Sequence, residues 1–228
     1  MFDKTERTSV IKEMSTGGVS FPCTDTVFIE KTVTIGKGTT ILPNTIITGN
    51  THIGENCVIG PNSYICDTIV GNSTSLNSTH CYSSQIGCGV TAGPFVHIRP
   101  GCKIANNVHI GNFVEIKNST IDEGSKLPHL LYVGDADIGK NVNFGCGCVT
   151  VNYNGKSKLR TIVEDGAFIG CNTNLVAPVT IGENAFTAAG STITESVPAN
   201  ALAIARSKQA IKENWVNIKK PYKRQYGD

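Results

Sequence analysis

The sequence predicts an all-β protein, a parallel β-helix of short stacked strands, and three observations carry that prediction. Ile29, Ile35, Ile41, Ile47, Ile53, Ile59 and Ile65 recur every sixth residue. The same interval returns at Ile86, Ala92, Ile98, Ile104, Ile110 and Ile116, at Ile138, Phe144 and Thr150, and at Val163, Ile169, Leu175, Ile181, Thr187 and Ile193. A period of six fits neither an amphipathic α-helix, whose apolar face returns after about 3.6 residues, nor a simple alternating strand. The composition agrees: 24 glycines with only 7% aromatic and 17% charged residues suit strands joined by many tight turns.

Each hexad, for example "TIGKGT" or "HIGENC", supplies one short strand and one turn. The aliphatic residue points inward, and Gly or Asn follows where the backbone adopts positive φ. Stacked coils bury the ladder and satisfy one another's backbone groups about 4.8 Å apart. Repeats of this form resemble the left-handed β-helix, with three hexads per triangular turn; the hand is implied by that resemblance alone, because general chain chirality favours right-handed crossovers.

The chain divides into a polar lead-in over residues 1–20, the β-helix over 21–206, and a C-terminal segment over 207–228. There "SKQAIKENWVNIKK" reads as a short amphipathic helix followed by a basic tail. A solenoid needs its end coils covered, and either terminal segment is suited to this. Its flat faces are most simply buried by self-association as a cyclic trimer.

A net charge of +2 offers no field for nucleic acid or a membrane surface. The charged N-terminus lacks the apolar core of a secretory signal, and no run reaches the roughly 18 apolar residues of a membrane helix. Nine cysteines, mostly scattered singly through the repeats, then indicate reduced thiols and a cytoplasmic location. Cys146 and Cys148 form a Cys-x-Cys pair without a second pair or a histidine motif, so no metal is expected.

Three segments break the period: about 66–85, 117–137 and 151–162. The first is polar and reads as coils of shifted register. The second holds Pro128, His129 and Tyr132 and suggests a turn released from the coil at 124–137. The third, "VNYNGKSKLR", reads as an inserted loop with an Asn-Gly turn. Loops on a rigid scaffold commonly carry function.

The stretches "HIGNFVEIKNST", "PHLLYVGDADIGKNVNFG", "NYNGK" and "NLVAPVTIG" closely resemble the acetyltransferase half of the bifunctional enzymes that make UDP-N-acetylglucosamine. The resemblance is densest over 91–215 and collinear but weaker over about 20–90. It implies glucosamine-1-phosphate N-acetyltransferase activity with acetyl-CoA as co-substrate, as a homotrimer with sites between subunits. That family's uridylyltransferase domain lies outside the resemblance over these 228 residues, and a separate uridylyltransferase chain is a candidate partner.

By this resemblance His129 is the general base. Imidazole suits the role because its ordinary pKa of about 6.5 lies near working pH. Arg99, Lys117, Tyr132, Asn143 and Lys158 match acceptor-binding positions. Cys146, Asn152, Tyr153, Cys171, Ala189 and Arg206 match cofactor positions. Independently of the resemblance, Arg99 and Lys117 lie three hexads apart and so stack on one edge of a three-sided coil, where Arg can grip phosphate through two N–H groups and Lys adds a point charge. Glu115 is a candidate for orienting the His129 ring.

Four positions depart from the family pattern. Cys146 replaces the usual Ala, Cys171 a common Ser, Asn154 the usual Asp, and Glu164 a common Gly. A thiol is a weaker hydrogen-bond donor than a hydroxyl, which touches efficiency more than reaction type. The alternative reading is a catalytically weak homologue kept as an assembly partner of a separate uridylyltransferase. A zinc-dependent carbonic anhydrase of the same repeat class fits poorly, since His97 and His109 fall two hexads apart on different edges.

Overall fold

The structure, a computed structural model, describes residues 4–219. Strands are two to four residues long, apart from His109–Lys117 and Lys126–Gly134, which have nine each. All strand pairings are parallel. Ile29 lies beside Ile47, Ile35 beside Ile53 and Ile41 beside Ile59, so each regular coil takes 18 residues, three hexads. The result is a parallel β-solenoid of about ten turns. One face is a nine-stranded sheet running from Thr34–Ile35 to Val179–Ile181. The other two faces merge into one hydrogen-bonded sheet, because the two nine-residue strands run through a corner without a break.

The ladder forms the core. Ile41, Ile47, Ile59 and Ile65 are fully buried and belong to one cluster that reaches from Val10 to Val197. Each such side chain stabilises by about 1.5–3 kcal/mol relative to an exposed one. The buried hydroxyls beside the ladder are satisfied between coils. Thr74 Oγ1 donates to the Gly87 carbonyl at 2.8 Å, and Ser125 Oγ donates to the Gly139 carbonyl at 2.6 Å. Positive φ falls at the corners, mostly on Gly and Asn. At one corner, however, Phe95, Phe113 and Leu130 adopt φ of 62°, 57° and 50°. The two phenylalanine rings stack there at 5.2 Å.

The breaks resolve differently from one another. In 66–85 the coil contracts, so that Tyr64 lies beside His80, sixteen residues on. In 117–137 no turn is released, contrary to the sequence reading. Ile121, Leu127 and Val133 keep the six-residue interval, all fully buried, and Lys126–Gly134 is one continuous strand. The slip consists of single residues lost at corners, between Ile116 and Ile121 and between Val133 and Ile138. A shorter corner leaves strand register intact. In 151–162 the coil expands: Val149 lies beside Asn174, 25 residues on. The added loop closes on Asn154 Oδ1, which accepts from the backbone N–H groups of Lys156 and Ser157 at 2.9 Å each.

At the N-terminus, Lys4–Thr16 is a helix within the segment read as a polar lead-in. Val10 and Ile11 are buried and Met14 packs on the core, so the helix covers the first coil. At the other end the helix begins later than the sequence suggests. Among the described residues only Trp215–Lys219 is helical there and none of it is buried, while residues 207–214 lack regular structure. Asn214 at φ 53° interrupts the amphipathic pattern. The basic tail expected at 220–228 lies outside the described residues.

Candidate active site

Two edges of the prism carry the candidate residues. On the first, Asn112, His129, Cys146, Cys171 and Ala189 occupy the same corner position in five successive coils. Each directly precedes a residue of positive φ: Phe113, Leu130, Gly147, Asn172 and Gly190. The column is tied by backbone hydrogen bonds from Gly147 to the His129 carbonyl at 3.4 Å, from Asn172 to that of Cys146 at 2.7 Å, and from Gly190 to that of Cys171 at 2.8 Å. His129, Cys146, Cys171 and Ala189 are exposed. His129 Nδ1 lies 2.9 Å from Asn112 Oδ1. Glu115, the expected ring-orienting residue, instead accepts from Arg99 Nη1 at 2.9 Å. The reason is register: Glu115 sits beside Tyr132, and it is Asn112 that sits beside His129.

Below Cys171 and Ala189 the chain needs glycine. A Cβ on Gly145 would come within 2.5 Å of the Cys171 nitrogen, and one on Gly170 within 2.6 Å of the Ala189 nitrogen. Glycine at these positions lets adjacent coils approach to backbone contact, and the exposed side chains at this corner, Cys146, Cys171 and Ala189, are small. The exposed Arg206 side chain passes 3.7 Å from the Cβ position of Gly190. Asn143, in the strand Asn143–Phe144, is half-buried between Lys126 and Phe168 on the face that leads into Cys146.

The second edge is built around Asp135, a buried residue in the "VGDAD" turn. Its carboxylate accepts from Lys117 Nζ at 3.1 Å, from Asn118 Nδ2 at 2.6 Å and from Asn152 Nδ2. Burial opposes its ionisation, but the hydrogen bonds from Asn118 and Lys117 and the charge of Lys117 outweigh that and hold its pKa below the usual carboxylate range. Asn152 also donates to the Tyr132 hydroxyl at 3.3 Å. Arg99 and Lys117 do stack on this edge: Arg99 N–H donates to the Ile116 carbonyl at 2.8 Å, and Lys117 lies beside Gly134. Each cation is paired with a carboxylate of its own chain.

Beyond them, the inserted loop is anchored by Arg160, which grips Asp137 through Nε and Nη2 and lowers that carboxyl's pKa. Within the loop, the Lys158 ammonium lies over the Tyr153 ring, 4.4 Å from its centroid, and the Tyr153 hydroxyl donates to the Gly155 carbonyl at 2.8 Å. Lys158 is thus seated in its own loop rather than beside Arg99 and Lys117.

Within one chain the two edges do not meet. His129 and Gly134 are five residues apart on one strand, at most about 17 Å at 3.3 Å per residue, and the Leu130 corner lies between them. The structure brings Lys117, Tyr132 and Asn152 together, sets Arg99 one coil away, and stacks His129 with Cys146, Cys171 and Ala189. Sequence reasoning missed Asp135, Asn118 and Asn112, the groups that hold the candidates in place. The intact "VGDAD" and "HIGNF" motifs were the available signal. Among the described residues, no three of His, Cys, Asp and Glu converge as metal ligands, and no helix is long and apolar enough to cross a membrane.

The model of the bacterial transferase hexapeptide (six repeats) matches residues 32–67, 83–118 and 160–195. The bifunctional protein GlmU of Geobacillus sp. (strain WCH70) is 59% identical over 155 residues, 68% of this chain and 34% of that protein. GlmU of Carboxydothermus hydrogenoformans is 57% identical over 152 residues, 67% of this chain and 34% of that protein. The solved structure of an Arabidopsis UDP-N-acetylglucosamine acyltransferase is 19% identical, with a TM-score of 0.44, covering 82% of this chain and 66% of that one. The chain spans about a third of the length of the GlmU relatives it matches. Three stretches of the chain thus match hexapeptide repeats, and about two thirds of it is similar to the C-terminal part of those bifunctional proteins.

Proposed function

We propose that the chain is a glucosamine-1-phosphate N-acetyltransferase that takes its acetyl group from acetyl-CoA and works as a homotrimer. The observation that carries this reading is the division of the candidates between two edges, one bearing the imidazole and the small-residue column, the other the stacked cations. Placing the first edge of one protomer against the second edge of its neighbour completes a site that neither chain holds alone. Cyclic trimers of three-sided prisms supply three such seams.

The column of small exposed side chains Cys146, Cys171 and Ala189 leaves room for a thin flexible arm, with Arg206 at its end for phosphate and Asn152 and Tyr153 facing it from the neighbour. Bound acetyl-CoA supplies the activated acyl carbon. Across the seam, Arg99 and Lys117 hold the sugar phosphate, with Tyr132 and Lys158 as further acceptor contacts on that side and Asn143 on the side of His129. His129 takes the proton that the 2-amino group loses as its nitrogen attacks the thioester carbonyl, a contribution of roughly 10²–10⁴-fold in rate. Backbone amides along the column stabilise the oxyanion that forms. Its collapse expels the CoA thiolate and leaves the N-acetyl sugar phosphate.

A thiol-release assay with acetyl-CoA and glucosamine 1-phosphate tests this directly. Turnover by the purified protein, lost in His129→Ala, is the expected result. No turnover by the intact assembly would instead favour a catalytically weak assembly partner.

A further inference from the structure

We infer that Asn112 is a positioning residue that fixes the His129 imidazole in the tautomer with its proton on Nδ1, so that Nε2 carries the lone pair. Asn112 and His129 are register partners on adjacent nine-residue strands. Both directly precede the same corner, and the residues that follow them, Phe113 and Leu130, share the left-handed conformation. Two side chains leaving adjacent coils at equivalent points run parallel, and here they meet, with Oδ1 2.9 Å from Nδ1. The corner is braced by the stacked rings of Phe95 and Phe113, 5.2 Å apart and within 9° of parallel.

An amide oxygen can only accept, so the short contact requires a proton on Nδ1. In a neutral ring, Nε2 is then unprotonated. A histidine side chain free in water favours the opposite tautomer, with the proton on Nε2. Asn112 therefore reverses an intrinsic preference at the ring nitrogen that must accept a proton. Unlike a carboxylate, the amide does so without adding charge beside the ring. Glu115, the nearest candidate by sequence, is occupied by Arg99 at 2.9 Å.

For its kinetic consequence this inference rests on the acetyltransferase reading; for its structural content it does not. The test is ¹⁵N NMR of ring-labelled histidine at a pH where imidazole is neutral. His129 is assigned by the signal lost in His129→Gln, a tractable task with five histidines. Wild type is expected to show a protonated Nδ1 and an unprotonated Nε2. Asn112→Ala is expected to move the proton to Nε2, whereas Asn112→Asp, which keeps an acceptor, retains it on Nδ1. In the transfer assay, Asn112→Ala should lower kcat on the order of 10–10²-fold with little change in either KM.

A wild-type proton on Nε2, or a tautomer unmoved by Asn112→Ala, overturns the inference. So does a change confined to KM. If the wild-type protein shows no transfer activity while the tautomer responds as stated, the positioning stands and the acetyltransferase reading falls.

Discussion

Asp135 is the residue on which the second edge depends. It is buried and receives Lys117, Asn118 and Asn152 together, so its removal frees an acceptor-side cation and a cofactor-side amide at once. Asp135→Ala should cost about 2–4 kcal/mol of stability, because it leaves a half-buried ammonium and two amides without their acceptor. It should also raise KM for both substrates. Urea titration and initial rates check the two halves.

The pKa shifts of Asp135 and Asp137 predict a pH dependence. Both lie below the unfolded value near 4. In the interval between folded and unfolded values the unfolded chain binds more protons, so stability rises with pH there. The contribution is fully present above about pH 4 and is lost as pH falls through the folded values. Urea midpoints should drop on acidification below that point, and the drop should be smaller in Asp135→Asn. An equal drop in wild type and variant would remove Asp135 as a source.

Among elements, the nine-residue strands matter most, since they carry Asn112 and His129 through a corner in fixed register. Gly111 makes their approach possible: a Cβ there would stand 1.7 Å from the Pro128 carbonyl oxygen. The obstacle is the Pro128 backbone, which unlike a flexible side chain cannot swing aside. Gly111→Ala should therefore be strongly destabilising, by about 3 kcal/mol or more, and should displace His129 in whatever remains folded. Thermal denaturation checks the first claim.

The inserted loop is expected to behave oppositely. It adds seven residues to an 18-residue coil and is stitched mainly by its own contacts, so trimming 153–158 to a plain corner should leave the fold intact and abolish transfer. Near-native circular dichroism without thiol release is the expected pair of results.

The contrast between strands and loop explains what could be read from sequence. The Ile29–Ile65 ladder states the coil length outright, because one inward residue per strand is all a narrow prism accommodates. The stacking of Arg99 over Lys117 follows by arithmetic. Asn112 and Asp135 follow only once coils of 17 residues replace those of 18, and single deletions at corners are invisible to a pattern built on inward residues. The same blindness suggested a released turn at 124–137. The C-terminal helix was overread because apolar spacing in Ile211, Trp215 and Ile218 promises a buried face, and none of the described residues covers it.

For the molecule as a whole, the central claim is that the reaction is performed at seams. A single prism keeps His129 and Lys117 on separate edges, and rows of exposed apolar side chains, Phe95, Phe113 and Leu130 among them, border the first of these. The monomer should then be inactive and the assembly active. Complementation measures this most directly. His129→Ala and Lys117→Ala are each expected to lack activity alone. Unfolded together in equal amounts and refolded, they form mixed assemblies in which some seams pair an intact His129 with an intact Lys117 from different chains. Random mixing predicts recovery of about a quarter of wild-type activity. Mixed assemblies that stay as inactive as either variant alone would mean that both residues act from the same chain, and would contradict the account.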